Sequence, residues 1–186
     1  MRQYAPSARA VYGLRGACLP PAAPGGEPAA PAPTRKTEGT DMDEKKAKVG
    51  KLIDEARAAG LAGAGWCVGL GVDRVAEEYN GIGPEFLPAD VRDRATAHLA
   101  LFEPAALIHD CRTGASDGSR EGFLAANDEF RRNCLTLADR AHPWYSWRRY
   151  RARAVAQVLF DFVSADGFGW KAWLDAFEKN EKAKEN

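Results

Sequence analysis

The stretch Leu107-Ile108-His109-Asp110-Cys111 decides how the rest of the chain is read, because a short apolar run there sets an imidazole beside a carboxylate. Downstream, Ala125-Ala126-Asn127-Asp128-Glu129-Phe130 brings a second carboxylate, and Ser116-Asp117-Gly118-Ser119 between them has the composition of a turn. His109 lies nine residues before Gly118, and Asp128 ten after it. If helices enter and leave this turn, each residue sits roughly 14 Å along its axis at about 1.5 Å per residue, so an antiparallel hairpin brings them level. A carboxylate level with an imidazole fixes the ring tautomer and leaves the other nitrogen to take a proton from water. Asp110 points about 100° away from His109 on the same helix and can face a cation held by a loop.

Helical periodicity extends through most of the chain. Phe123, Asn127, Phe130, Cys134 and Leu137 recur at alternating spacings of four and three. Upstream, Val49, Leu52, Ile53 and Ala56 share a face of a helix expected from Asp43 and stopped at Gly60. Val72 to Glu78 reads as a short helix, and Pro88 and Asp90 mark another start whose His98 is a packing or surface residue. Glu103-Pro104 opens the His109 helix, with proline in the first turn. Ala152, Val155, Leu159 and Phe162 line a later helix, and Trp170, Trp173, Leu174 and Phe177 a short terminal one. The expected class is all-α, a compact helical domain built on an antiparallel hairpin.

Between the early helices and the hairpin lies Glu78-Tyr79-Asn80-Gly81-Ile82-Gly83-Pro84. Gly81 and Gly83 permit the sharp turns that a carbonyl-lined calcium loop needs, and they equally suit a plain turn between helices. Taken in order, Tyr79-x-Gly81-x-Gly83, His109-Asp110 and Asp128 resemble the phospholipase A2 family, particularly its short viral and bacterial members, over roughly Glu78 to Phe162. The resemblance implies His109 as general base, Asp128 as the residue orienting it, and calcium held by Asp110 and the carbonyls of Tyr79, Gly81 and Gly83. The implied reaction is hydrolysis of the sn-2 ester of glycerophospholipids. Trp144, Tyr145, Trp147 and Tyr150 beside Arg148, Arg149, Arg151 and Arg153 suit an anionic phospholipid surface. Of these, Trp144, Trp147, Arg148, Arg149 and Arg153 are the candidate membrane contacts. The same mixture could meet nucleic-acid phosphate, and a non-catalytic helical membrane- or protein-binding module, phage- or envelope-associated, is the alternative.

Composition narrows the rest. The 186 residues carry a formal net charge of zero, so no global excess points to nucleic acid. Residues 1–41 hold seven of the eleven prolines among Ala and Gly and are expected to be disordered, with Met42 an alternative start. A helical domain over 42–177 and a polar tail over 178–186 follow. The four cysteines form no CxxC pair or zinc spacing and read mainly as free or buried thiols, with one bridge possible. No run suits a signal peptide or a bilayer span, which favours a cytoplasmic or phage-associated protein. Oligomeric state is left open.

Overall fold

The computed structural model describes residues 38–82, 90 and 99–185, and no strand occurs among them. The expectations for residues 1–37, Gly83 and His98 lie outside the described residues. Helix α1 spans Glu38–Ala58, five residues longer at its start than the sequence reading gave. Its Val49, Leu52, Ile53 and Ala56 are buried, as their spacing requires. The helix stops where Gly60 turns to φ 67° and Leu61 N–H reaches back to the Ala56 carbonyl at 3.0 Å, a bond that satisfies one of the last helical acceptors. Arg140, from a distant helix, donates to the Ala58 and Ala59 carbonyls at 3.1 Å each and closes the same end.

Two short helices follow, α2 (Ala64–Leu70) and α3 (Val72–Glu78). Gly63, at φ 83°, starts α2 where a side chain could not fit, because an added Cβ would lie 2.8 Å from both Ile108 Cγ2 and Glu129 Oε1. Backbone at Ala62 is held by the buried Asn133, whose Oδ1 accepts from Ala62 N and whose Nδ2 donates to Ala62 O, both at 2.9 Å. That exchange satisfies one residue's donor and acceptor as a strand neighbour would.

The hairpin itself is α4 (Glu103–Gly114) and α5 (Arg120–Ala141). Pro104 stands in the first turn of α4, where its missing N–H costs no helical bond. Ser119 caps α5, its Oγ accepting from Gly122 N at 2.9 Å, while Asp117 receives Ser119 N–H and ties the turn. Gly118 has φ 72°, and the Phe177 ring packs where its Cβ would be. Leu107, Ile108 and Cys111 meet Phe130, Cys134 and Leu137 in one buried core. Across that seam Arg112 grips Glu129 through two bonds, Nε to Oε1 at 2.9 Å and a terminal nitrogen to Oε2 at 3.1 Å, with its guanidinium 4.3 Å from the Trp66 ring centre.

Helix α6 (Trp147–Val163) packs back along α5 after a break at His142–Ser146. A π-turn over Asp166–Trp170 leads to α7 (Lys171–Glu185). The expected polar tail is therefore helical. Its charges mix both signs, Lys184 pairs with Glu181 at 2.7 Å, and Asn180 Nδ2 donates to the Gly114 carbonyl at 2.8 Å, anchoring α7 to the end of α4. Trp173 is buried against Phe123 as the apolar spacing suggested. Cys67, Cys111 and Cys134 are free and buried, and burial pushes the Cys134 thiol up to about 12.

Glycine substitutions separate backbone strain from helix propensity. Gly63→Ala is expected to cost about 1–3 kcal/mol through its positive φ and the lost space, whereas Gly65→Ala, in open space on α2, should gain up to about 1 kcal/mol. Urea midpoints that moved in the same direction for both would contradict this account of α2.

Candidate functional site

His109 and Asp128 are not partners. The His109 Nε2 lies 2.9 Å from Oδ1 of Asn127, which is 1% exposed, and Asp128 is turned out to solvent. The reason is register. Counting nine residues from Gly118 in each direction gives His109 and Asn127, while Asp128 is one position further and about 100° around the helix. The hairpin therefore presents an amide, not a carboxylate, to the imidazole. With Oδ1 accepting, Nε2 carries the hydrogen and Nδ1 is left as an acceptor. Asn127 Nδ2 is buried without a hydrogen-bond partner among the described residues.

The ring packs 4.9 Å from Phe130, and burial pushes the His109 pKa below its ordinary 6.5, against the opposing pull of the Asn127 hydrogen bond and the Glu129 charge. His109 is thus neutral at pH 7, the state in which a base can accept a proton.

Asp110 does come to the glycine loop. Asn80 N–H donates to its Oδ2 at 3.3 Å, and Gly81 turns the chain at φ 83°. The Tyr79–Asn80 peptide is trans and planar, so the Tyr79 carbonyl points away from the side on which the Asn80 N–H meets Asp110. Tyr79 is accordingly not a donor beside Asp110 in this arrangement. It is instead buried, its hydroxyl donating to Glu103 Oε1 at 2.6 Å, and Lys48 pairs with the same carboxylate. Burial first, and then Glu103, raise the Tyr79 hydroxyl well above its ordinary value. Asp110 and the Gly81 turn thus lie together, with Gly83 outside the described residues, and no cluster of three or more His, Cys, Asp or Glu side chains placed to hold a metal ion occurs among the described residues.

The aromatic and arginine segment divides in two. Trp144, Tyr145, Trp147 and Tyr150 are each between 64% and 75% exposed. Arg149 and Arg153 differ from them in being paired, because both close on Asp139, at 2.8 Å and 2.7 Å. The Arg149 hydrogen bond, joined by Arg153, holds the Asp139 carboxyl below its ordinary value. The cations that accompany the exposed rings are Arg148 and Arg151, which pair with no carboxylate among the described residues; Arg151 stacks 5.9 Å from Trp147. Asn127 is thus the residue that sequence reading passed over beside His109, while Tyr145, Tyr150 and Arg151, named in the aromatic and arginine segment, join the candidate contacts at the exposed edge. An equal count about Gly118 finds Asn127, and the three-residue step from Arg148 finds Arg151.

The lowered His109 pKa has a sign that can be checked. Below about pH 6.5 the unfolded chain protonates this histidine while the folded one does not, so folding weakens as pH falls from there toward the folded value and is indifferent to His109 above it. Comparing wild type with His109→Gln cancels the other histidines. The wild type's stability relative to the variant should fall between pH 7.5 and pH 5.5, and a constant difference in urea midpoint would show that His109 titrates normally.

No family model, curated protein or solved structure matches the chain.

Proposed function

We propose that the chain works at an anionic phospholipid surface as a slow, phospholipase A2-like ester hydrolase. The observation that carries the proposal is the His109 Nε2 to Asn127 Oδ1 bond, which with Oδ1 accepting leaves Nδ1 of a neutral imidazole as the acceptor. In this reaction Nδ1 removes a proton from water as the oxygen attacks the sn-2 ester carbonyl. The tetrahedral intermediate then collapses, the carbon–oxygen bond to the glycerol breaks, and His109 returns the proton to the departing alkoxide. Calcium, held by Asp110 and the Gly81 turn when bound, would stabilise negative charge on the carbonyl oxygen. The exposed rings of Trp144, Tyr145 and Trp147 with Arg148 and Arg151 hold the protein to the lipid.

Asn127 sets the rate. It orients the ring, but as a neutral amide it cannot balance the positive charge that His109 acquires in the transition state, as a carboxylate would. The same amide favours a second reading, the non-catalytic lipid-surface module.

One substitution distinguishes them. Asn127→Asp places a carboxylate on the bonded nitrogen and should raise fatty-acid release from mixed phosphatidylcholine and phosphatidylglycerol vesicles by roughly 10²-fold in the presence of calcium, within the range of general-base effects. His109→Gln should abolish release in both backgrounds. Vesicle binding that survives all three variants, with no fatty acid released by Asn127→Asp, would leave the module as the better account.

A further inference from the structure

Beside the exposed rings, α6 walls an open cavity of about 430 Å³, within the size range of small-molecule sites. Its floor is apolar, made by Phe102, Ala152 and Val155, and its rim carries Trp147, Arg148 and Arg151. Phe102 and Ala152 belong to the main buried core and Val155 is partly buried against it, so the apolar side of the cavity rests on that core with Val155 its accessible part. Arg148 and Arg151 are three residues apart on one helix and lie side by side at the mouth. Neither is paired with a carboxylate among the described residues, whereas the neighbouring Arg149 and Arg153 are both satisfied by Asp139.

We propose that this cavity takes a single anionic amphiphile, a phosphate-bearing lipid whose head lies between Arg148 and Arg151 and whose first methylenes cover Phe102, Ala152 and Val155. The assignment rests on the lipid-surface reading and adds to it a defined one-molecule site. Two guanidinium groups at adjacent positions match a phosphate, and their planar donors suit its oxygens. Phosphate alone leaves the accessible apolar surface at Val155 wet, and an uncharged chain leaves both cations without a counterion. Only a ligand carrying both features answers both surfaces. Trp147 forms the wall between them, with an apolar ring body and the Arg151 cation against its face.

The test is calorimetry on the full chain with dodecyl phosphate below its micelle concentration, compared with dodecanol and with inorganic phosphate. Saturable binding of one dodecyl phosphate per chain is expected, at least tenfold tighter than either of the other probes. Val155→Trp, which fills the cavity and keeps both arginines, and Arg148→Ala with Arg151→Ala, which keeps the floor, should each weaken it by at least tenfold. Should Val155→Trp fail to fold by circular dichroism, the arginine pair decides. Dodecyl phosphate binding no tighter than that of either half-ligand, or unchanged by the folded variants, overturns the site. Vesicle sedimentation keeps the two readings apart. Trp144→Ala with Tyr145→Ala, which lie outside the cavity, should release the protein from anionic vesicles while leaving dodecyl phosphate bound. Amphiphile binding by a wild type that ignores vesicles would sink the surface reading and spare the cavity.

Discussion

The seam between α4 and α5 governs the molecule. Leu107, Ile108 and Cys111 are buried against the Phe130 and Cys134 face, and full burial of a side chain such as Leu or Ile contributes about 1.5–3 kcal/mol each. Interlocked apolar rows have a discrete register, because slipping a helix by one residue rotates every contact by about 100°. The turn fixes which register is used. Gly118 supplies the positive φ, Ser119 caps α5, and Phe177 occupies the space a side chain at 118 would need. Once this register is set, His109 meets Asn127 with no further choice available to either residue.

Polar groups inside this core are arranged by what each can satisfy. Asn133 meets both backbone groups of Ala62, and Glu103 receives Tyr79 and Lys48, so these buried groups stay hydrogen-bonded. Arg112 and Glu129 form a two-bond pair that joins α4 to α5 and reaches α2 through Trp66. Three buried side-chain atoms are left without a hydrogen-bond partner among the described residues, Asn127 Nδ2, Ser164 Oγ and Trp173 Nε1, and the first of them stands beside an imidazole.

What could be read from the sequence followed the strength of each local signal. The helical class, the α3 boundaries at Val72 and Glu78, and the buried Val49, Leu52, Ile53 and Ala56 face were legible because apolar period and glycine stops agreed. The hairpin was legible too, from the turn composition at Ser116–Ser119. Its exact register was not, because a carboxylate one position away was chemically more inviting than the amide that the count about Gly118 selects. The helical end of the chain was hidden for a different reason. Glu178 to Glu185 has little apolar content, and its docking depends on Asn180 meeting a carbonyl at Gly114, a contact 66 residues away that no local pattern carries.

The arginines show the same limit in electrostatics. Arg148, Arg149, Arg151 and Arg153 form one basic run in sequence, and helical geometry then distributes them around α6. Two fall on the side facing α5, where they share a single carboxylate, Asp139, which offsets one of their two charges. The other two fall beside Trp147 and Tyr150 at the exposed edge. Charge counting treats the four cations alike, whereas in the folded chain Arg149 and Arg153 are tied to a carboxylate and Arg148 and Arg151 are not paired with one among the described residues. Asp139 therefore divides the run: it ties Arg149 and Arg153 to α5, while Arg148 and Arg151 line one cavity together with apolar side chains, so that charge and apolar surface lie within reach of the same ligand.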